Sequence, residues 1–76
     1  MKYDITKPLT KGAKRTLRAF SKEMFMLLSE KSFEEITVGQ LCEAAQYPRA
    51  TFYNYFDDKY DLLGYCWQTL AEQIGF

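Results

Sequence analysis

The sequence predicts an all-α domain, and three observations carry that reading. Leu17, Phe20, Met24, Leu27 and Leu28 recur at steps of three and four residues, the spacing that lines apolar side chains along one face of a helix. Thr37 and Gln40 pair as a capping box at the head of Val38, Leu41, Cys42 and Ala45, which follow an i, i+3, i+4, i+7 rule. After Gln46-Tyr47-Pro48 comes a second short amphipathic segment, and three residues are about the length of turn that joins the two halves of a helix-turn-helix.

The elements follow in order. Thr10 caps a first helix over about 10–30, a long backboard for the rest, and Lys31-Ser32 ends it. Phe33 and Ile36 are expected to tuck the connection under the domain, with Ile36 and Leu41 placed as a hydrophobic staple across the start of a second helix over about 37–45. Gly39 falls on the outer, exposed side of that helix. A third helix over about 48–56 has only two turns, too few to persist alone in water, so its neighbours must hold it. Phe52 and Phe56 lie four apart on its buried face, whereas Arg49, Thr51, Tyr53 and Tyr55 spread over its exposed end and flanks. Pro48 brings a fixed φ to the helix start and no side-chain cap.

Asp58 with Asp61 caps a fourth helix over about 58–74. Its apolar residues form two stripes. Leu62 and Cys66 close the core. Leu63, Trp67, Leu70 and Ile74 make a second face that nothing else in the chain is left to cover, and this face is expected to be partly exposed or self-associated.

Seventy-six residues allow one domain with a small core, and six phenylalanines, six tyrosines and one tryptophan supply its packing. The two cysteines, Cys42 and Cys66, have no histidine to complete a metal set, and both read as buried apolar residues rather than a disulfide or zinc site. No cofactor is expected. An enzyme is not expected either: there is no histidine and no glycine-rich phosphate loop, and Glu34-Glu35 and Asp57-Asp58 read as helix-flanking charges. The apolar run Met24 to Leu28 is far shorter than the roughly 20 residues a membrane span needs, and nothing resembles a signal peptide, so a soluble cytoplasmic chain is expected.

The formal charge is zero, but it is unevenly spread. Through Lys22, seven bases stand against one acid, a net +6; beyond it, three bases stand against nine acids, a net −6. A basic arm over residues 1–9 leading into the first helix either lies along phosphate or a minor groove, or is a solvated lysine-rich tail. Together with the polar tip and aromatic anchors of the third helix, this reads as a surface built to touch DNA.

The run Ile36-Thr37-Val38-Gly39-Gln40-Leu41-Cys42-Glu43-Ala44-Ala45-Gln46-Tyr47-Pro48-Arg49-Ala50-Thr51-Phe52-Tyr53-Asn54-Tyr55-Phe56-Asp57-Asp58-Lys59, with Leu62 after it, resembles the N-terminal DNA-binding domain of the TetR family of bacterial transcription regulators. The resemblance extends from about Lys14 to Leu63, and Thr51-Phe52-Tyr53, Tyr55-Phe56 and Lys59 at fixed offsets are its most specific part. It implies a homeodomain-like three-helix domain with a fourth linking helix, a nucleoid-associated protein, and double-stranded DNA as partner. It also implies a longer C-terminal domain that binds an effector ligand and forms a homodimer. No residues remain here to build that domain, so the chain is expected to be the headpiece alone. The chain departs from the family at Ser32 and Ala50, where glycine is usual, and at Tyr47 and Pro48, where valine and serine are. Gly39 stands where the family often carries a side chain reaching toward DNA.

Within this frame Arg49, Ala50, Thr51 and Asn54 sit at the groove-facing start and flank of the recognition helix, with Arg49 first for base readout because arginine to guanine O6 and N7 is the commonest specific pair. Tyr53 and Tyr55 match phosphate-contacting positions, Tyr55 as the clearer of the two. Lys59, at the start of the fourth helix, is expected to grip a phosphate. Thr37 occupies the equivalent place on the second helix, and Lys11 and Lys14 extend the basic footprint. The competing reading is a small helical protein-interaction module that works through the Trp67 face.

Overall fold

The computed structural model describes residues 10–73. They form α1 (Lys11–Leu28), a single 3-10 turn (Phe33–Glu35), α2 (Val38–Ala45), α3 (Arg49–Tyr55) and α4 (Lys59–Gln73), and no strand occurs among the described residues. The helices start at Lys11, Val38, Arg49 and Lys59, each next to a residue the sequence marks as a start, and the expected end of the fourth helix near residue 74 lies outside the described residues. Thr10 is extended, and its hydroxyl accepts the Ala13 N–H at 3.1 Å. Thr37 accepts the Gln40 N–H at 3.1 Å while the Gln40 side chain accepts the Thr37 N–H at 3.2 Å, the full capping box. Asp58 accepts the Asp61 N–H at 3.0 Å, and Asp61 reaches back to accept the Asp57 N–H at 2.7 Å. That last bond keeps the Asp61 carboxyl below the usual carboxylate range.

The core lies where α1 crosses the other helices. Leu17, Phe20, Met24, Ile36, Leu41, Phe52, Phe56 and Leu62 are fully buried, with Cys42 and Cys66 beside them. Phe20 is its centre: the ring stands edge-on to Phe52 at 5.4 Å and to Phe56 at 6.5 Å, and meets Tyr47 at 5.5 Å. Both cysteines are free thiols, and burial pushes both up, so they stay protonated and inert near neutral pH. Leu27 and Leu28 pack on the edge of this core, while Phe25 and Met26 on the other side of α1 remain exposed.

The turn between α2 and α3 holds the one positive φ among the described non-glycine residues, at Gln46 (φ 62°, ψ 40°). This left-handed residue lets the Tyr47 N–H reach back to the Cys42 carbonyl at 3.0 Å, so α2 stops and the chain reverses. Glutamine carries a Cβ penalty there that glycine does not. Gln46→Gly is therefore expected to stabilise the domain by about 0.5–1 kcal/mol, after the entropy cost of glycine is set against the relieved strain. Urea unfolding should show a higher midpoint at unchanged slope.

Candidate nucleic-acid interface

The aromatic lock decides what α3 leaves outside. With Phe52 and Phe56 buried on Phe20, the opposite face carries Arg49, Ala50, Tyr53 and Asn54 in the open, and Thr51 and Tyr55 half-buried at its flanks. Pro48 is extended (φ −71°, ψ 157°) and offers no side-chain cap, so the helix begins with Arg49 at its tip. One exposed surface thus gathers a guanidinium, an amide and a phenol, groups able to donate to base edges and phosphate oxygens. Tyr53, 43 % exposed, rests edge-on against Phe52 at 5.3 Å, whereas Tyr55 is the more buried of the two and leans on Phe56 at 6.5 Å.

At the start of α2, Thr37 is exposed, and its hydroxyl is occupied in the capping box. Gly39 is not on an open outer surface as its position in the sequence suggested. It is half-buried beneath the Arg49 guanidinium, so that a Cβ built on Gly39 would come within 2.7 Å of Arg49 Nη2. The sequence signal was there, a glycine inside a helix, but the partner could not be read because it comes from the next helix.

Lys59 sits where expected on the first turn of α4, but its ammonium is engaged inside the domain. It donates to the Phe33 carbonyl at 2.7 Å, to Ile36 at 2.9 Å and to Glu34 at 3.3 Å, and lies 4.4 Å from the centre of the Phe33 ring. The Phe33 carbonyl also accepts the Ile36 N–H at 3.1 Å within the 3-10 turn, and the lysine ties all three carbonyls to α4. Tyr60 adds an edge-on contact with Phe33 at 5.0 Å. This brace requires the turn, which no sequence pattern announced.

Lys11 and Lys14 are exposed on the first turns of α1. Residues 1–9, the expected basic arm, lie outside the described residues. Lys14, with Arg18 and Lys22, also edges a cleft of about 480 Å³ between α1 and α4, walled by Phe25, Tyr65 and Leu70. On α4, Trp67 is 64 % exposed, and Leu63 and Leu70 are half-buried beside it. Ile74 lies outside the described residues.

A family model for bacterial regulatory proteins of the tetR family matches residues 25–66, more than half of the chain. The chain belongs to that family. The matched stretch runs from within α1 through the helix-turn-helix of α2 and α3 into α4, so TetR membership and the geometry meet on the same residues. This TetR-family chain is accordingly a helix-turn-helix DNA-binding domain of a bacterial transcription regulator, with DNA as its partner. No curated protein and no solved structure matches it. Among the described residues, no helix of this TetR-family domain is long and apolar enough to cross a membrane, and no group of side chains could hold a metal ion.

Proposed function

We propose that this domain reads one operator half-site by placing α3 in the major groove, with Arg49 as the principal base-reading residue. The observation that supports it is the aromatic lock. Burial of Phe52 and Phe56 fixes the rotation of α3, and that rotation leaves Arg49, Ala50 and Asn54 on the protruding face. Thr51 at the flank meets a thymine methyl or a phosphate. Tyr53 reaches phosphate from its exposed edge, with Tyr55 as a second phenol partly held in the core. Lys11 and Lys14 steer the phosphate backbone toward the start of α1, and Thr37 adds a contact from α2.

Two such headpieces in a homodimer would present their α3 helices about 34–36 Å apart, one duplex turn, so a single domain binds its half-site weakly. The Leu63, Trp67 and Leu70 face is proposed to pack on an effector-binding, dimerising domain; the exposure of Trp67 supports this.

Titrating duplex DNA at several salt concentrations tests the reading. Affinity should fall steeply with salt, each phosphate contact adding about 0.9 to the log-log slope. Arg49→Ala should cost about 1–3 kcal/mol of discrimination at one base pair, with little change in the salt slope. Equally poor binding at every ionic strength would instead support a protein-interaction module working through Trp67.

A further inference from the structure

Gly39 stands at the second position of α2, where a glycine weakens a helix and any residue but proline would be a better former. What it provides is space. An ideal Cβ there would lie 2.7 Å from Arg49 Nη2, 3.6 Å from Cζ and 3.8 Å from Nε, so the guanidinium occupies the volume a side chain would take. The contact is particular to this glycine. Gly12 and Gly64, also within helices, have nothing within 4 Å of such a Cβ. A second sign points the same way: burial pushes the Cys42 thiol up, and the Arg49 guanidinium pulls it back down, so the charge is felt on α2 one turn beyond Gly39.

We propose that Gly39 is a specificity-determining residue: its missing side chain is a seat on which the Arg49 guanidinium lies across α2 and α3, and the seat sets which base edge Arg49 reads. This rests on Arg49 as the base-reading residue. A guanidinium reads guanine through a planar fork whose two N–H groups must meet O6 and N7 together. A fork lying across α2 is restrained in direction before DNA arrives. Any side chain at position 39 displaces it, and because the displaced atoms are the far end of a flexible chain, the fold survives while the aim of the fork changes.

The test is selection of bound fragments from random duplex by the full chain and by Gly39→Ala, Arg49→Ala and the double variant, with thermal melting of each. Arg49→Ala should reduce preference at one base pair by about tenfold, and Gly39→Ala should change preference at that same base pair by about threefold or more. The melting temperature of Gly39→Ala should not fall, since alanine is the better helix former. In the Arg49→Ala background, Gly39→Ala should leave the base preference unchanged. In the free protein, an NMR contact between the Gly39 Hα and Arg49 Hδ protons is expected.

A Gly39→Ala profile indistinguishable from the parent's, or a shift that persists without Arg49, would overturn the seat while leaving Arg49 as a reader. Loss of all effect from Arg49→Ala itself would remove the base-reading assignment, and the seat with it.

Discussion

Phe20→Ala is expected to destabilise the domain by about 3–5 kcal/mol, a large part of all the stability a chain this short has. Phe20 has no exposed surface and is the one ring that meets the turn at Tyr47 and both anchors of α3, Phe52 and Phe56. Truncating a buried phenylalanine costs about 3–5 kcal/mol, through lost transfer energy and the cavity left behind. A chain this short has about 4–11 kcal/mol in all, at roughly 0.05–0.15 kcal/mol per residue. The cost therefore consumes a large part of the stability, and a two-turn helix cannot survive without its support. Urea unfolding followed by far-UV circular dichroism should show the midpoint collapsing, and DNA binding should be lost in parallel. A midpoint close to the parent's would mean that α3 is held by something other than this ring cluster.

Lys59→Met is expected to lower stability by about 2 kcal/mol, because hydrogen bonds to a charged group contribute about 1.5–3 kcal/mol and part of this one is open to solvent. Methionine keeps the apolar stem but abandons the carbonyls of Phe33, Glu34 and Ile36, and it removes the ammonium from the face of Phe33. The 3-10 turn then loses its polar tie to α4 and keeps the ring contact of Phe33 with Tyr60. The same variant separates a brace from a phosphate anchor. A brace lowers the urea midpoint and leaves the salt slope of DNA binding by the folded protein unchanged. A phosphate anchor lowers the slope by about 0.9 with the midpoint intact.

Much of the architecture could be read residue by residue. Thr10, Thr37 with Gln40, and Asp58 with Asp61 marked the helix starts because a cap is a local bond between groups three residues apart. Spacing separates the buried face from the exposed one, with Phe52 and Phe56 in the core and Arg49 on the surface. The candidate interface was legible to the same depth, as a set of residue types on one side of one helix. The side chains that touch across elements were not. Lys59 looked like a free cation on a first turn, and Gly39 like an open helix surface. Tyr55 reads as the clearer phosphate contact by resemblance to the family, and the sequence does not show that its ring is the more buried of the two.

By itself, then, the order of residues determined that four helices form, where they begin, which face of each turns inward, and the family to which the chain belongs. Tertiary structure alone decided that Lys59 braces a turn 23 to 26 residues away, and that Gly39 receives the guanidinium of Arg49. The reason is one of range. Periodicity and capping act within a helical turn and leave their mark in neighbouring letters, whereas the partner of a long side chain is set by how separate helices pack, which adjoining residues do not encode.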